Sequence, residues 1–206
     1  MDILLETAAL VVVDKPAGLP TIPDRFGSAS VHDLLAAQIG VHLWIVHRLD
    51  REVTGILVFA KTAEAHRALS MAFERHAVHK TYEAWTTAAS PPEKGAAFHW
   101  ENSLLRGKKR AYVHPAGKLA ITEAVCQGGA PLPATWRFAL QPQTGRSHQL
   151  RVHLANAGMP IVGDTLYGSN VPWRPQEIAL RAVAIAWPAG VLGATAFALE
   201  APGLAP

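Results

Sequence analysis

A charged segment between two apolar stretches is the first candidate for chemistry. Residues 47–52 (His-Arg-Leu-Asp-Arg-Glu) lie between the apolar residues 44–46 and 56–59. A loop of this kind carries polar groups to the end of a sheet, where catalytic residues are often found. Neighbouring arginines favour the ionised form of the Asp50 carboxylate, which could act as a nucleophile or a base. Loop statistics alone favour the alternative, a surface turn with an ordinary ion pair.

A second candidate is the basic segment 144–153 (Thr-Gly-Arg-Ser-His-Gln-Leu-Arg-Val-His). A helix that begins near Ser147 would place His148 and Arg151 on one face. Arg146 and the N–H groups of the first helical turn would then form an end that attracts an anion. The segment could therefore receive a phosphate or hold a carboxylate from elsewhere in the chain. A solvated basic helix face is an equal alternative.

Two shorter segments could contact a nucleic acid. Strand alternation puts Lys80, Tyr82 and Ala84 on one face. A tyrosine near a nucleic-acid pocket can stack on an extruded base, although a core aromatic with a satisfied hydroxyl is the more common outcome. Residues 106–110 (Arg-Gly-Lys-Lys-Arg) could follow a phosphate backbone, or form only the basic end of a hairpin.

Composition excludes several classes of protein. The 206 residues are 50% hydrophobic and 17% charged, which is typical of a folded globular protein. A net charge of +3 permits a polyanionic partner without identifying one. Cys126 is the only cysteine, so neither an internal disulfide nor a paired-cysteine zinc site can form. His148 and His153 are poorly spaced for metal binding on one helical face, and we expect no metal site.

The sequence gives no sign of export or of membrane insertion. The N-terminus lacks the basic start and apolar run of a signal peptide. No stretch reaches the ~18 uninterrupted apolar residues expected of a membrane span. Together with the lone cysteine, these features predict a cytoplasmic protein that has no membrane partner.

The elements that must position these candidates are many strands and a few interspersed helices. Ser30 and Gly40 are typical caps of a helix between them, and Thr62 is a typical N-cap for a helix through about Arg75. Strands are predicted at residues 10–13, 43–46, 55–60, 81–87, 111–114, 121–126, 135–140, 180–187 and 195–199. Helices and strands do not alternate regularly, which favours an α+β fold with a largely antiparallel sheet. We expect one domain over residues 1–206.

Four segments, taken together and in order, resemble the RluA family of RNA pseudouridine synthases. Residues 15–18 (Lys-Pro-Ala-Gly) are similar to the family's first motif, and residues 47–50, followed by Thr54 and Gly55, are similar to its catalytic motif. Residues 80–82 (Lys-Thr-Tyr) match the motif that carries the active-site tyrosine. The remaining match is to the longest motif, at residues 142–153 and 158–168.

The resemblance implies a fold and a set of catalytic roles. The fold is a catalytic domain built on a mixed, mostly antiparallel sheet with flanking helices and a central cleft, and the reaction needs no cofactor. Asp50 would attack or deprotonate the ribose of the target uridine, so that the base detaches, rotates and rejoins through carbon. Tyr82 would stack on the flipped base and help in the final deprotonation. Arg151 would pair with Asp50.

The resemblance also implies how the RNA is held. Leu150 would pack against the base pocket, and Arg48 would enter the gap left by the flipped nucleotide. The other substrate-binding residues expected are His47, Arg146, His148 and Lys15. The substrate is expected to be a stem-loop of rRNA or tRNA, and no protein partner is implied.

Two departures from the family pattern stand out. Val53 occupies a position where the family usually has threonine, so one hydroxyl is lost. The chain also begins almost at the first motif, so we expect no separate N-terminal RNA-binding domain. The alternative functions are a non-catalytic RNA-binding or RNA-folding protein that uses the same cleft, and a metal-dependent hydrolase that uses the histidines.

Overall fold

The structure, a computed structural model, describes residues 1–23 and 27–205. In this part of the chain the backbone forms two compact units. The first contains residues 1–79 and 182–202, and the second contains residues 80–181 and 203–205. A single domain over residues 1–206 therefore stays a prediction.

The strands of both units are short to medium in length. Within the described residues they are β1 (Asp2–Glu6), β2 (Leu10–Lys15), β3 (Trp44–Ile45), β4 (Thr54–Ala60), β5 (His79–Thr87), β6 (Ala97–Arg106), β7 (Ala111–Val113), β8 (Lys118–Gly129), β9 (Thr135–Pro142), β10 (Leu180–Trp187) and β11 (Phe197–Glu200). The helices are α1 (Val31–Ile39), α2 (Ala63–Glu74) and α3 (Gln149–Asn156), with one 3-10 turn at Thr165–Tyr167.

The first unit surrounds the central strand β4. Strand β2 pairs antiparallel with β1 and β4, and β3 pairs antiparallel with β4. On its other side β4 lies next to β10, which pairs antiparallel with β11. Every residue of β4 is buried, as its uninterrupted apolar sequence predicts. Strand β4 therefore gives the charged segment before it a rigid attachment.

Side-chain caps fix the helices of the first unit. The Ser30 hydroxyl accepts the N–H of Asp33 at the start of α1, and the Thr62 hydroxyl accepts the N–H of Ala65 at the start of α2. Helix α1 ends at Gly40, whose φ of 70° is the left-handed conformation that glycine adopts easily. Such caps can be predicted from local sequence, because they satisfy backbone groups of the nearby helix end that would otherwise be unpaired. Both helix predictions are confirmed.

The second unit is an antiparallel sheet that α3 covers. Its strand order is β5-β9-β8-β6-β7, with every neighbouring pair antiparallel. Helix α3 contacts β7, β8 and β9. Leu104, Ala111 and Ala120 of the sheet form a buried cluster with Val152 of α3, against which Tyr167 packs. Because both units are built on antiparallel strands with flanking helices, the α+β fold class is confirmed, whereas the central cleft stays a prediction.

Three elements differ from the sequence-based expectations. Strands β1 and β6 were not predicted: the apolar run of β1 is only three residues long, and polar residues interrupt the apolar ones of β6. Helix α3 begins at Gln149 rather than near Ser147, because His148 takes a left-handed φ of 53° that ends helical geometry there. No helix in the described residues is long and apolar enough to span a membrane.

Candidate active site

Asp50 lies in the first unit, in the loop that joins β3 to β4. In this loop Leu49 is buried, Asp50 is half-buried, and Arg48 and Arg51 are exposed. The Val53 N–H donates to the Asp50 carbonyl at 3.2 Å, which closes a tight turn at the entrance of β4. The loop thus buries its leucine and exposes its two arginines.

The Thr21 hydroxyl fixes the residue that precedes Asp50. It donates to the Leu49 carbonyl at 2.9 Å and accepts the Leu49 N–H at 3.1 Å. Thr21 is only 2% exposed, so both hydrogen bonds lie away from water. Sequence reasoning missed Thr21, since a threonine between two prolines carries no recognisable signal.

Lys15 fixes the residues that follow Asp50. Its ammonium group donates to the carbonyls of Pro16, Arg51 and Val53 at 2.8, 3.1 and 2.7 Å. Lys15 is fully buried, and three backbone acceptors match the three donors that an ammonium group has to satisfy. The Gly18 N–H adds a second hydrogen bond to the Arg51 carbonyl at 2.9 Å. Lys15 is thus a support of the Asp50 loop, and its expected contact with RNA stays a prediction.

His47 supports the start of the same loop. Its Nε2 accepts the backbone N–H of Val58 at 3.0 Å, and its ring stacks on Phe73 with the centroids 5.1 Å apart. An Nε2 atom that accepts a hydrogen bond carries no proton, so this contact requires the tautomer with the proton on Nδ1. This edge of the ring is thus part of the scaffold, and the expected contact of His47 with RNA stays a prediction.

The surroundings of Val53 suit valine at this position, where the family usually has threonine. Its side chain is 3% exposed, so an apolar group is well suited to the position. Thr54 is also buried, and its hydroxyl has no hydrogen-bond partner among the described residues. Gly55 has a φ of +105°, and a side chain there would collide with the backbone of Ala182. The glycine is therefore required at this close approach of β4 and β10.

Arg151 lies in the second unit and forms a buried ion pair with Asp164. Its Nε and Nη2 atoms donate to the two carboxylate oxygens at 2.7 and 2.8 Å. The side chains are 3% and 1% exposed, and the guanidinium carbon lies 5.2 Å from the ring centre of Tyr167. A bidentate pair of this kind fixes the guanidinium plane. The expected pairing of Arg151 with Asp50 stays a prediction.

His148 connects the basic end of β6 to Tyr167. A guanidinium group can only donate, so the 3.0 Å contact from Arg106 Nη1 makes His148 Nε2 an acceptor. The proton then lies on Nδ1 and is donated to the Tyr167 oxygen at 3.0 Å. The Tyr167 hydroxyl also accepts the Ala111 N–H and donates to the Ala111 carbonyl. These donor and acceptor roles are mutually consistent only when the His148 ring is neutral. The expected contact of His148 with RNA stays a prediction.

The Gln149 side chain at the start of α3 bonds to the segment that precedes the helix. The Gln149 side-chain oxygen accepts the hydroxyl of Thr144 at 2.7 Å and the backbone N–H of Arg146 at 3.0 Å. The Arg146 Nε donates to the Leu119 carbonyl at 2.8 Å. Six of the eight residues of α3 are buried, so the alternative of a solvated basic helix face is wrong. Leu150 is among these six, and the expected contacts of Arg146 and Leu150 with RNA stay predictions.

Tyr82 lies on β5 with its side chain 9% exposed, and its strand partner on β9 is Leu140. Two positions before it, burial lowers the pKa of Lys80. The catalytic role of Tyr82 stays a prediction.

His153 is a buried histidine that the expected site does not use. Its Nδ1 lies 2.9 Å from the Thr122 hydroxyl, and its Nε2 has no hydrogen-bond partner among the described residues. Burial lowers the pKa of His153 to about 4, so the ring is neutral near pH 7. In the described part of the chain, no group of three or more His, Cys, Asp or Glu residues is arranged to hold a metal ion.

The sequence of this chain matches those of known proteins. Residues 9–156 match the family model described as RNA pseudouridylate synthase. An uncharacterized RNA pseudouridine synthase of Zymomonas mobilis is 39% identical over 179 residues, which cover 82% of this chain and 78% of the relative. The tRNA pseudouridine synthase C of Yersinia pestis is 35% identical over 182 residues, with 82% and 70% covered.

A solved structure shares the fold. Human RNA Pseudouridylate Synthase Domain Containing 1 superposes with a TM-score of 0.79 at 21% identity, and the match covers 98% of this chain and 82% of that one. The motifs around Asp50, Tyr82 and Arg151 thus occur in a chain whose sequence and fold both match the same group of enzymes. We conclude that the chain belongs to the RNA pseudouridylate synthase family, of the RluA type.

Proposed function

We propose that this member of the family converts a uridine of a folded RNA to pseudouridine, with Asp50 as the reacting carboxylate. The observation that carries the proposal is the set of hydrogen bonds that holds the Asp50 loop. Thr21 bonds to Leu49 before Asp50, and Lys15 bonds to the carbonyls of Arg51 and Val53 after it. A loop held on both sides keeps its carboxylate in one position, which catalysis by orientation requires.

The isomerisation replaces one glycosidic bond by another. The N1–C1′ bond of uridine breaks and a C5–C1′ bond forms, while C5 loses a proton and N1 gains one. Substrate and product are isomers, so the chain has to supply proton transfers and positioning but no electrons. We assign to Asp50 the attack on the ribose or its deprotonation, and to Tyr82 the stacking on the flipped base and the final deprotonation.

Arg151 completes the proposed catalytic set as a fixed positive charge. Asp164 orients its guanidinium group through two hydrogen bonds in a buried environment, where electrostatic interactions are stronger than in water. A preoriented charge of this kind can stabilise a carboxylate without moving during the reaction.

The RNA is proposed to contact exposed basic side chains. Arg48 is exposed on the Asp50 loop, as a side chain that enters a gap in RNA has to be. At the end of β6, Arg106, Lys108, Lys109 and Arg110 are all exposed. Contacts from such groups to phosphates position an RNA without reading its sequence.

The substrate class that we favour is tRNA. Several relatives that are 33–35% identical to this chain carry the name tRNA pseudouridine synthase C. We place the reaction in the cytoplasm, where a lone thiol such as the buried Cys126 stays reduced.

The test is tritium release from RNA transcribed with uridine labelled at C5. Formation of the C5–C1′ bond expels the label into water, and nucleoside chromatography then identifies the product. We expect the wild type to act on a tRNA pool without metal or nucleotide. Asp50→Asn keeps the shape of the side chain but loses the carboxylate, and we expect it to be slower by at least about 10³-fold.

The matched control is Glu52→Gln, which removes another carboxylate two residues away. We expect this variant to retain the wild-type rate. Absence of pseudouridine with both tRNA and rRNA would contradict the enzymatic function. Equal rates for Asp50→Asn and the wild type would contradict the role of Asp50.

A further inference from the structure

The Thr21 hydroxyl contacts the main chain beside Asp50 in a way that the proposed mechanism does not use. It donates to the Leu49 carbonyl and accepts the Leu49 N–H, at 2.9 and 3.1 Å. The Leu49 carbonyl belongs to the peptide plane that ends at the Cα of Asp50. The Leu49 N–H belongs to the plane before it. One buried hydroxyl therefore holds two successive peptide planes that lead into the catalytic residue.

Thr21 is itself attached to a helix. Its carbonyl accepts the N–H of His32 at 3.1 Å, and the Pro20 carbonyl accepts the N–H of Val31 at 2.9 Å. These two N–H groups are in the first turn of α1, where a helix leaves donors without partners of its own. Thr21 thus connects the first turn of α1 to the Asp50 loop, through its backbone on one side and its hydroxyl on the other.

The hydrogen bonds of Lys15 and Gly18 lie after Asp50 in the loop, whereas those of Thr21 lie before it. Lys15 and Gly18 bond to the carbonyl of Arg51, and Lys15 also bonds to the carbonyl of Val53. These contacts fix the exit of the loop. The side chain of Asp50 takes its direction from the backbone at its own Cα, which lies between the Thr21 contact and the Lys15 contacts.

We propose that Thr21 is a positioning residue that sets the direction of the Asp50 carboxylate towards the ribose. The proposal rests on the proposed function, because it concerns the same reaction. Valine has the shape of threonine but neither donor nor acceptor, so Thr21→Val leaves both Leu49 groups without this partner. Serine keeps the hydroxyl, so Thr21→Ser preserves the contact.

The experiment compares single-turnover rates and RNA affinities of folded variants. A misplacement of about 1 Å can cost about 10²-fold in rate, so we expect Thr21→Val to slow the reaction by about 10- to 100-fold. We expect RNA affinity to change by less than about twofold, because Thr21 is buried. Thr21→Ser is expected to restore most of the rate.

Thr7→Val is the matched control, because the Thr7 hydroxyl makes the same pair of contacts elsewhere in the first unit. It donates to the Leu10 carbonyl at 3.3 Å and accepts the Leu10 N–H at 3.1 Å. This pair stabilises the turn between β1 and β2 and does not touch the Asp50 loop. We expect Thr7→Val to keep the wild-type rate.

The outcomes separate this proposal from the proposed function. A wild type that forms no pseudouridine refutes the proposed function before any variant is compared. An active wild type with a folded Thr21→Val of equal rate refutes the positioning role, as does a loss confined to RNA affinity. If Thr21→Val does not fold, Thr21→Ala is assayed at low temperature. Failure of both to fold also counts against the role, because Thr21 then serves stability alone.

Discussion

Around Asp50, three side chains bond to main-chain groups. Thr21 bonds to Leu49, Lys15 bonds to three carbonyls, and His47 accepts a backbone N–H. A loop has no ladder of its own, so buried backbone groups within it need side chains as partners. The result is a loop whose shape depends on a few specific donors and acceptors. Substitutions at these positions act on the reaction through geometry rather than through contact with the substrate.

At the residue scale, Tyr82 combines two roles that substitution can separate. Tyr82→Phe keeps the ring and loses the hydroxyl, so we expect unchanged RNA affinity and a rate of product formation lowered by about 10²- to 10⁴-fold. Tyr82→Leu also removes the stacking surface, and we expect it to weaken binding by about 1–3 kcal/mol. Tritium release in single turnovers and RNA titration measure the two effects.

Tyr112→Phe serves as the control for Tyr82, since it removes the hydroxyl of an exposed tyrosine on β7. We expect this variant to match the wild type in both measurements. A wild-type rate in Tyr82→Phe would show that the hydroxyl takes no part in the deprotonation.

Helix α3 is unusual in burying charged and polar side chains along with its apolar ones. Arg151, His153 and Gln149 are 4% exposed or less, and each has a partner outside the helix. Buried charges cost desolvation energy unless they are paired, so the partner of Arg151 matters for stability as well as for chemistry. Asp164 supplies that partner from the segment that follows the helix.

At the element scale, Asp164→Ala is expected to destabilise the chain by about 3–5 kcal/mol, because it leaves the Arg151 charge buried without this carboxylate. The double variant Arg151→Met, Asp164→Leu replaces the pair by apolar side chains, and we expect it to recover most of that loss. Denaturant unfolding measures the free energies. We expect the double variant to remain inactive in tritium release, since Arg151 is absent.

The ion pair of Lys61 with Glu6 provides the control for Asp164, because it is more exposed to solvent. Glu6→Gln is expected to change the unfolding free energy by less than about 1 kcal/mol. An active double variant at Arg151 and Asp164 would overturn the catalytic assignment of Arg151. A stable Asp164→Ala would overturn the assignment of the pair to stability.

At the scale of the whole molecule, His153 makes stability depend on pH. Burial lowers its folded pKa to about 4 from the ordinary value of 6.5. Between these values the unfolded chain binds a proton that the folded chain does not, so the free energy of unfolding falls as pH decreases. From pH 7 to pH 5 we expect a loss of about 2 kcal/mol from this residue, and His153→Asn removes it. Denaturant unfolding at a series of pH values measures the slope.

His99 is the control for His153, because its pKa moves the other way. The hydrogen bond that His99 donates to the Glu123 carboxylate, together with the charge of that carboxylate, raises the pKa of this exposed histidine. The contribution of His99 is therefore present at low pH and is lost as pH rises through its folded pKa. We expect His99→Asn to steepen the acid loss of stability, whereas His153→Asn makes it shallower. Equal slopes in the wild type and His153→Asn would contradict the prediction.

Local sequence was enough to predict those features whose hydrogen-bond partners lie close to them in the sequence. Ser30, Gly40 and Thr62 predicted the limits of α1 and α2, since a cap bonds within its own first or last turn. Strand β6 escaped prediction because Leu104 is its one buried residue and polar residues interrupt its apolar ones, so burial does not impose an apolar alternation on the strand. His148 delayed the start of α3 to Gln149 through a left-handed conformation for which its sequence context carries no marker.

The sequence by itself determined the family, the α+β class and the segments that hold Asp50, Tyr82 and Arg151, because these depend on motif order and local pattern. Only the tertiary structure decided what surrounds them. The partners of Lys15 lie 36 and 38 residues away, Thr21 lies 28 residues from Leu49, and Asp164 lies 13 residues from Arg151. Hydrogen bonds across such separations depend on where the folded chain brings donor and acceptor together, and residue type alone does not record that position.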